Sequence, residues 1–461
     1  MILKNINSFK AVEMKKSIVT FALILLIGLA DIFAAGHPNN IINQAQVDEI
    51  KKKIQAGAQP WKKAYDKMMS DANGDMSGGF PSVTSNGSVI SGTDSRYYAS
   101  AGGYSGGDKR DIGVIEDASR MMINLGLAYS FSGQTKYADR AIDLVKYFCL
   151  SNTTGMIPSG KNWGGGGIVH LLFGLQGFFF GADFIIDYPG WKASEKAAFI
   201  DWITKTIELN KVSVKGDLSF RYENNWEDWR MCHVGFAAIV IEDETLLNSI
   251  FDRWKEIFPT HIGNTGQMLD DITRDQGFTY SLFGLEPYSQ VAAMARNRGM
   301  DLFNYNGGGK SLKKAWDFHA YFMADWSSRK SEFLNTTIEG KTKKATATAN
   351  PGKEHAGLFE IAYSIFKDPD YLKVLNKWGR PSVMMRKLGH PTLTHGNWFD
   401  LPGGIISGIA APIISPSGGN FKGSKSVTIT TQLPPNQIGT IEFPINTIEF
   451  PINKIQTQPR P

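Results

Sequence analysis

Between about residue 40 and about residue 400, apolar residues return every three or four positions, in segments of roughly 12 to 20 residues that end in loops rich in Gly, Ser or Asn. That spacing lines one face of an α-helix, whereas a half-buried strand alternates. It predicts helices over residues 115–131, 136–150, 168–186, 194–209, 228–241, 246–257, 281–298, 312–327 and 357–366. Successive helices joined by short loops pack as antiparallel neighbours. With functional loops gathered at one end, the expected fold class is mainly α, an α/α toroid. The Gly- and Ser-rich loop over residues 74–110 is long enough to form a lid over that end.

A chain of 461 residues, 42% hydrophobic and 12% aromatic, can bury a large core, which excludes disordered and collagen-like classes. Its 49 Lys and Arg against 44 Asp and Glu leave a net charge of +5, too dilute for a nucleic-acid binder yet compatible with an acidic ligand. Only two cysteines are present, so no disulfide scaffold is expected. Cys149 and Cys232 sit in apolar helical contexts, where they form either one bridge or two buried thiols.

Residues 14–35 read as a secretory signal: Lys15 and Lys16 precede an apolar run, and the small residues Ala34, Ala35 and Gly36 follow. The run falls short of the roughly 20 residues that span a bilayer, so a secreted or periplasmic protein without stable membrane association after cleavage is expected. Without residues 1–35, the chain carries 45 basic and 42 acidic residues, a net charge of +3. The expected domains are a signal peptide over residues 1–35, a helical catalytic domain over 36–403, and a linker with a truncated β-like or disordered tail over 404–461. In that tail, residues 424–431 alternate like a strand, and TIEFPIN at 440–446 is repeated at 447–453. A proline in each copy rules out a heptad helix. The stretch PIISPSGGNFKGSKSVTITT resembles the first strands of the chitobiase-type β-sandwich found on many secreted glycan-active enzymes.

Two clusters carry chemistry. In RYENNWEDWRMCH, residues 221–233, Asn224 and Asn225 are good helix N-caps, and Trp226 and His233 are seven apart, on one helix face. Tyr222, Trp226 and Trp229 would offer ring faces to sugars; the plainer alternative is a capped helix with core tryptophans and a satisfied histidine. In GQMLDDITRDQGFTYSLFGLEPY, residues 266–288, Arg274 and Tyr280 precede an apolar helix, and an adjacent cation favours a phenolate. The plainer alternative there is an aromatic core residue and an Arg274 pair with Asp270 or Asp271. Trp163, Tyr288, His395 and Asn397 are further candidates to line a sugar cleft. Asp71, Asn73, Asp75 and Ser77 begin a calcium-loop spacing, but its Gly at position six and Glu at position twelve are missing.

Taken in order, NNW at 224–226, GQMLDDITR ending at Arg274, and Tyr280 leading into SLFGLEPY resemble the alginate lyase family of α/α-toroid polysaccharide lyases. The family's segments are Asn-Asn-His, D-G-x-L-x-x-E-x-x-R, and a tyrosine opening an x-x-F-x-L-x-P/A-L helix. GQTKYADRAIDLVKYF also looks like its early helix, so the resemblance spans roughly residues 110–300. It implies that Asn225 neutralises a uronate carboxylate, that Arg274 lines the cleft, and that Tyr280 is the acid or acid/base. Trp226 stands where the family has its catalytic histidine. Either His233 replaces that group or Tyr280 performs both proton transfers. The same substitution resembles a more distant branch that includes glucuronan-active enzymes.

The reaction implied is β-elimination on an anionic polysaccharide. The C5 proton of a uronate becomes acidic once the carboxylate is neutralised, a base removes it, and an acid protonates the departing O4. No cofactor is called for. The competing expectations are a glycoside hydrolase on the same toroid, using a carboxylate pair such as Asp228 and Glu286, and a non-catalytic glycan-binding protein.

Overall fold

The computed structural model describes residues 36–86, 94–97, 110–158, 167–212, 224–348, 350–384, 387–396, 413–415 and 428–430. The helices are α1 (Gln44–Gln55), α2 (Trp61–Asp75), α3 (Arg110–Ser132), α4 (Thr135–Val145), α5 (Gly167–Ala182), α6 (Ala193–Val212) and α7 (Asn225–Val240). They continue with α8 (Glu244–His261), α9 (Gly277–Arg296), α10 (Leu312–Ala324), α11 (Trp326–Leu334), α12 (Leu358–Phe366), α13 (Pro369–Trp378) and α14 (Pro391–His395). Each helix expected from the periodicity is present. The helix expected over 312–327 ends earlier, at Ala324, and α11 follows from Trp326 after Asp325 leaves helical geometry. Lys146–Leu150 continues α4 as a single π-helical turn.

Four helices form an inner parallel ring, as the register of their contacts shows. Between α3 and α5, a Cβ on Gly174 would meet Ile115 at 2.7 Å, and one on Gly181 would meet the Met122 backbone at 2.5 Å. Gln176 and Phe180 of α5 face Cys232 and Phe236 of α7. Cys232 and Gly235 of α7 face Gln290 and Met294 of α9. In every pair both positions advance together, so the helices run the same way. The outer helix α8 is antiparallel to α7, because its last residue, His261, bonds Asp228 in the first turn of α7. The N-termini of α3, α5, α7 and α9 therefore open at one end, where their dipoles favour an anion.

The ring closes through residues 353–396. Glu286 of α9 meets His355 at 3.2 Å and pairs with Lys387, and His390 reaches Asn124 of α3 at 3.1 Å. At the opposite end, residues 37–40 strap α5 to α9. Asp183 pairs with the His37 imidazole and accepts from Asn39 N–H (2.8 Å) and Asn40 Nδ2 (2.6 Å). Asn297 and Arg298 donate to the Asn40 and Asn39 carbonyls, each at 2.7 Å.

Several expectations resolve here. Cys149 and Cys232 are free, buried thiols rather than a bridge, and burial pushes both thiols up. Asp71, Asn73 and Asp75 lie on α2, not in a calcium loop, and Asp75 is spent on Arg120 and Asn124. In the tail, β1 (Ile413–Ser415) pairs antiparallel with β2 (Thr428–Thr430), inside the run expected to be a strand. The rest of the tail, the signal segment and most of the expected lid lie outside the described residues. Among the described residues, no helix is long and apolar enough to cross a membrane.

Candidate active site

The site is built where α7 and α9 begin. Asn224 is the N-cap of α7, its side chain accepting from Trp226 N–H at 3.0 Å, which satisfies one of the free donors of the first turn. The next residue, Asn225, is thereby held at the mouth of the helix and is almost fully buried. Its Nδ2 donates to Asp271 Oδ1 at 2.5 Å. Asp271 lies in the short 3₁₀ turn Asp271–Thr273, which Arg274 ends, and the Arg274 guanidinium lies 3.4 Å from the same Asp271 oxygen. The guanidinium also stacks on the Tyr280 ring, 3.7 Å from its centre. The Arg274 side chain keeps 25% of its surface exposed and Tyr280 is half-buried, so both remain within reach of solvent.

Sequence reasoning thus placed Asn225, Arg274 and Tyr280 correctly as neighbours. The suspected Arg274–Asp271 pair exists as well, as part of the same assembly. Four other candidates need correction. His233 has no exposed surface and packs against Phe179, two turns inside α7; sharing a helix face with Trp226 carried it into the core, not into the cleft. Trp229 is fully buried against Phe173 and Phe283, so it is core rather than a sugar platform. Tyr288 is fully buried, with its hydroxyl 2.9 Å from His261 Nδ1. His395 is buried on α14 beside the Thr394 hydroxyl, and burial pushes its imidazole down to about 3, so it is neutral and internal. Trp226 is half-buried at the mouth of α7. Tyr222, Trp163 and Asn397 lie outside the described residues.

Two carboxyls that the sequence offered only in its competing readings, Asp228 and Asp271, lie beneath this surface. Asp228 Oδ1 is 2.9 Å from His261 Nδ1, and burial pushes its carboxyl up to about 6 against the pull of that histidine. Asp271 is pushed up to about 7, first by burial and then by the charge of Asp228, while Arg274 and Asn225 pull it back. A signal for Asp271 was present: with Arg274 closing the family segment D-G-x-L-x-x-E-x-x-R, Asp271 falls on the acidic position and Gly266 on the glycine. Gly266 adopts φ +90°, and a Cβ there would strike the Lys314 carbonyl at 2.0 Å.

The family model for alginate lyase matches residues 42–328, well over half of the chain. The chain belongs to the alginate lyase family. It is a polysaccharide lyase, and its α/α toroid is shared with solved alginate lyases. An alginate lyase from Bacteroides ovatus is 18% identical with a TM-score of 0.64, over 78% of this chain and 99% of that one. Alginate lyase A1-III from Sphingomonas species A1 is 17% identical with a TM-score of 0.59, over 78% of this chain and 97% of that one. A variant of A1-III complexed with tetrasaccharide is 16% identical with a TM-score of 0.57, over 77% and 95%. Among curated protein sequences no match is found.

Proposed function

We propose that this lyase cleaves a uronic-acid polysaccharide, alginate or glucuronan, by β-elimination, and that Asn225, Arg274 and Tyr280 do the chemistry. The observation that carries the reading is the convergence of an amide, a guanidinium and a phenol around Asp271, where the inner helices begin. Asn225 and Arg274 bind the uronate carboxylate and stabilise the negative charge that builds on it as the C5 proton leaves. Tyr280 then serves both transfers, taking the C5 proton and returning it to the departing O4. Two facts favour a single residue for both: Trp226 stands at the family's histidine position, and His233 is sealed in the core. A neighbour solved in complex with tetrasaccharide supports a polysaccharide substrate. Export through residues 14–35 belongs to the same proposal, since a polymer substrate is met outside the cytoplasm.

The hydrolase alternative loses support from the geometry. Asp228 is buried and held by His261, and Glu286 is buried between Lys387 and His355, so neither carboxyl faces a scissile bond. The test is incubation with alginate, glucuronan and hyaluronan while following ultraviolet absorbance from the new C4–C5 double bond. Absorbance growing with one of the first two is expected. Sugar release without it would overturn elimination.

A further inference from the structure

Beneath the cleft, two buried carboxyl groups approach each other with too few partners for both to ionise at little cost. Asp271 Oδ1 takes the Asn225 amide and the Arg274 guanidinium, whereas Asp228 takes His261 at Oδ1 and a hydrogen bond from the Tyr288 hydroxyl. Their second oxygens both border the space at Gly284: a Cβ on that glycine would lie 2.8 Å from Asp271 Oδ2 and 3.2 Å from Asp228 Oδ2. Asp228 Oδ2 is buried and has no hydrogen-bond partner. The charged and titratable groups facing the pair are Arg274 on the Asp271 segment, Glu227 on α7, His261 at the end of α8 and Tyr288 on α9. Only Arg274 among them is a permanent cation, and it is also the group a uronate carboxylate needs.

We propose that Asp271 and Asp228 form a charge-coupled carboxyl pair, and that a uronate carboxylate binding at Asn225 and Arg274 drives a proton from solvent onto Asp271, which thereby releases the guanidinium to the ligand. This rests on the reading of the site given above. With Asp271 ionised, ligand and aspartate compete for one guanidinium in a partly desolvated corner, and like charges at such range favour protonating one of them. Once protonated, Asp271 still accepts from Asn225 Nδ2 through its carbonyl oxygen, so the amide keeps its aim. Asp271 is then a positioning residue, and Gly284 is the small residue that leaves room for the pair.

The experiment measures binding of alginate and glucuronan oligosaccharides to a Tyr280→Phe protein, which keeps the ring under Arg274 but stops turnover. Calorimetry in buffers of different ionisation enthalpy between pH 6 and 9 counts protons taken up. Uptake should be small at pH 6, where Asp271 is already largely protonated, and approach one proton per site above about pH 7, with affinity falling there by up to about tenfold per pH unit. Adding Asp271→Asn should flatten that dependence while binding persists, and Asp228→Asn should move it to lower pH, a split that a merely structural role would not produce. Binding with no proton uptake and a flat profile overturns the coupling and leaves the proposed function standing. Failure to bind any uronan overturns both. In the free protein, an infrared band of a protonated buried carboxyl at pH 6 should vanish in Asp271→Asn; its absence from the parent overturns the pair independently of ligand.

Discussion

At the scale of single residues, the proposed mechanism separates groups that meet substrate from groups that hold them. Tyr280 is half-buried beside a guanidinium, and the proposed mechanism makes it the proton carrier. Tyr280→Phe should lower kcat by at least about 10²-fold, the usual scale for losing a positioned acid–base, with oligosaccharide affinity nearly unchanged; turnover at the parent rate would refute the assignment. His233 sits on the other side of that division. With no exposed surface and Phe179 against its ring, His233→Ala should cost about 2–4 kcal/mol of stability by leaving a core cavity. The shape of its pH–rate profile should match the parent, and a lost limb in that profile would return His233 to the catalytic set. The plain sequence alternative, a satisfied core histidine, was the better one because helix spacing reports which face a residue shares and not how deep that face runs.

At the scale of elements, small residues set how closely the inner helices approach. Gly126 of α3 and Gly181 of α5 face each other: a Cβ on Gly126 would lie 2.3 Å from the Gly181 carbonyl, and one on Gly181 lies 2.5 to 2.6 Å from the Met122 and Ile123 backbone. Backbone cannot swing aside as a side chain can. Gly181→Ala should therefore force α3 and α5 apart and cost about 1–3 kcal/mol, read as a lower thermal midpoint, whereas Gly57→Ala, with open space around it, should not act through packing. Helix existence was legible from the 3.6-residue periodicity because that pattern is local. The break at Asp325 was not, since the apolar spacing runs on through Trp326 while only the backbone geometry at Asp325 ends α10.

At the scale of the whole molecule, the strap at residues 37–40 and the closure through residues 353–396 turn a row of helices into a ring. His37 is central to the strap, its side chain 6% exposed against Asp183. Burial opposes its charge, but Asp183, Asp187 and Glu242 together raise it from 6.5 to about 9. A histidine raised in the folded state contributes stability that is full below about pH 6.5 and is lost as pH rises through about 9. That shift corresponds to about 3 kcal/mol. His37→Gln should thus be less stable than the parent at pH 6 by up to that amount, with the two denaturation midpoints converging above pH 9; a constant gap across pH would point to packing instead. The same closure explains Glu286, whose carboxyl Lys387 and His355 hold below its ordinary range despite full burial. It is a clasp between α9 and the returning chain.

The sequence by itself determined the helical class, nine of the helices though not α1, α2, α11, α13 or α14, and the grouping of Asn225, Arg274 and Tyr280, because periodicity, N-capping and motif order are written along the chain. Tertiary structure alone decided depth and partnership. It sent His233, Trp229 and Tyr288 into the core, since several neighbouring helices bury each face of an inner helix. It also brought Asp228, from the start of α7, beside Asp271, 43 positions later by their numbering, across the space left by Gly284. Proton affinity in that corner depends on which charges lose their water together, and that is a property of the packed ring, not of any segment read alone.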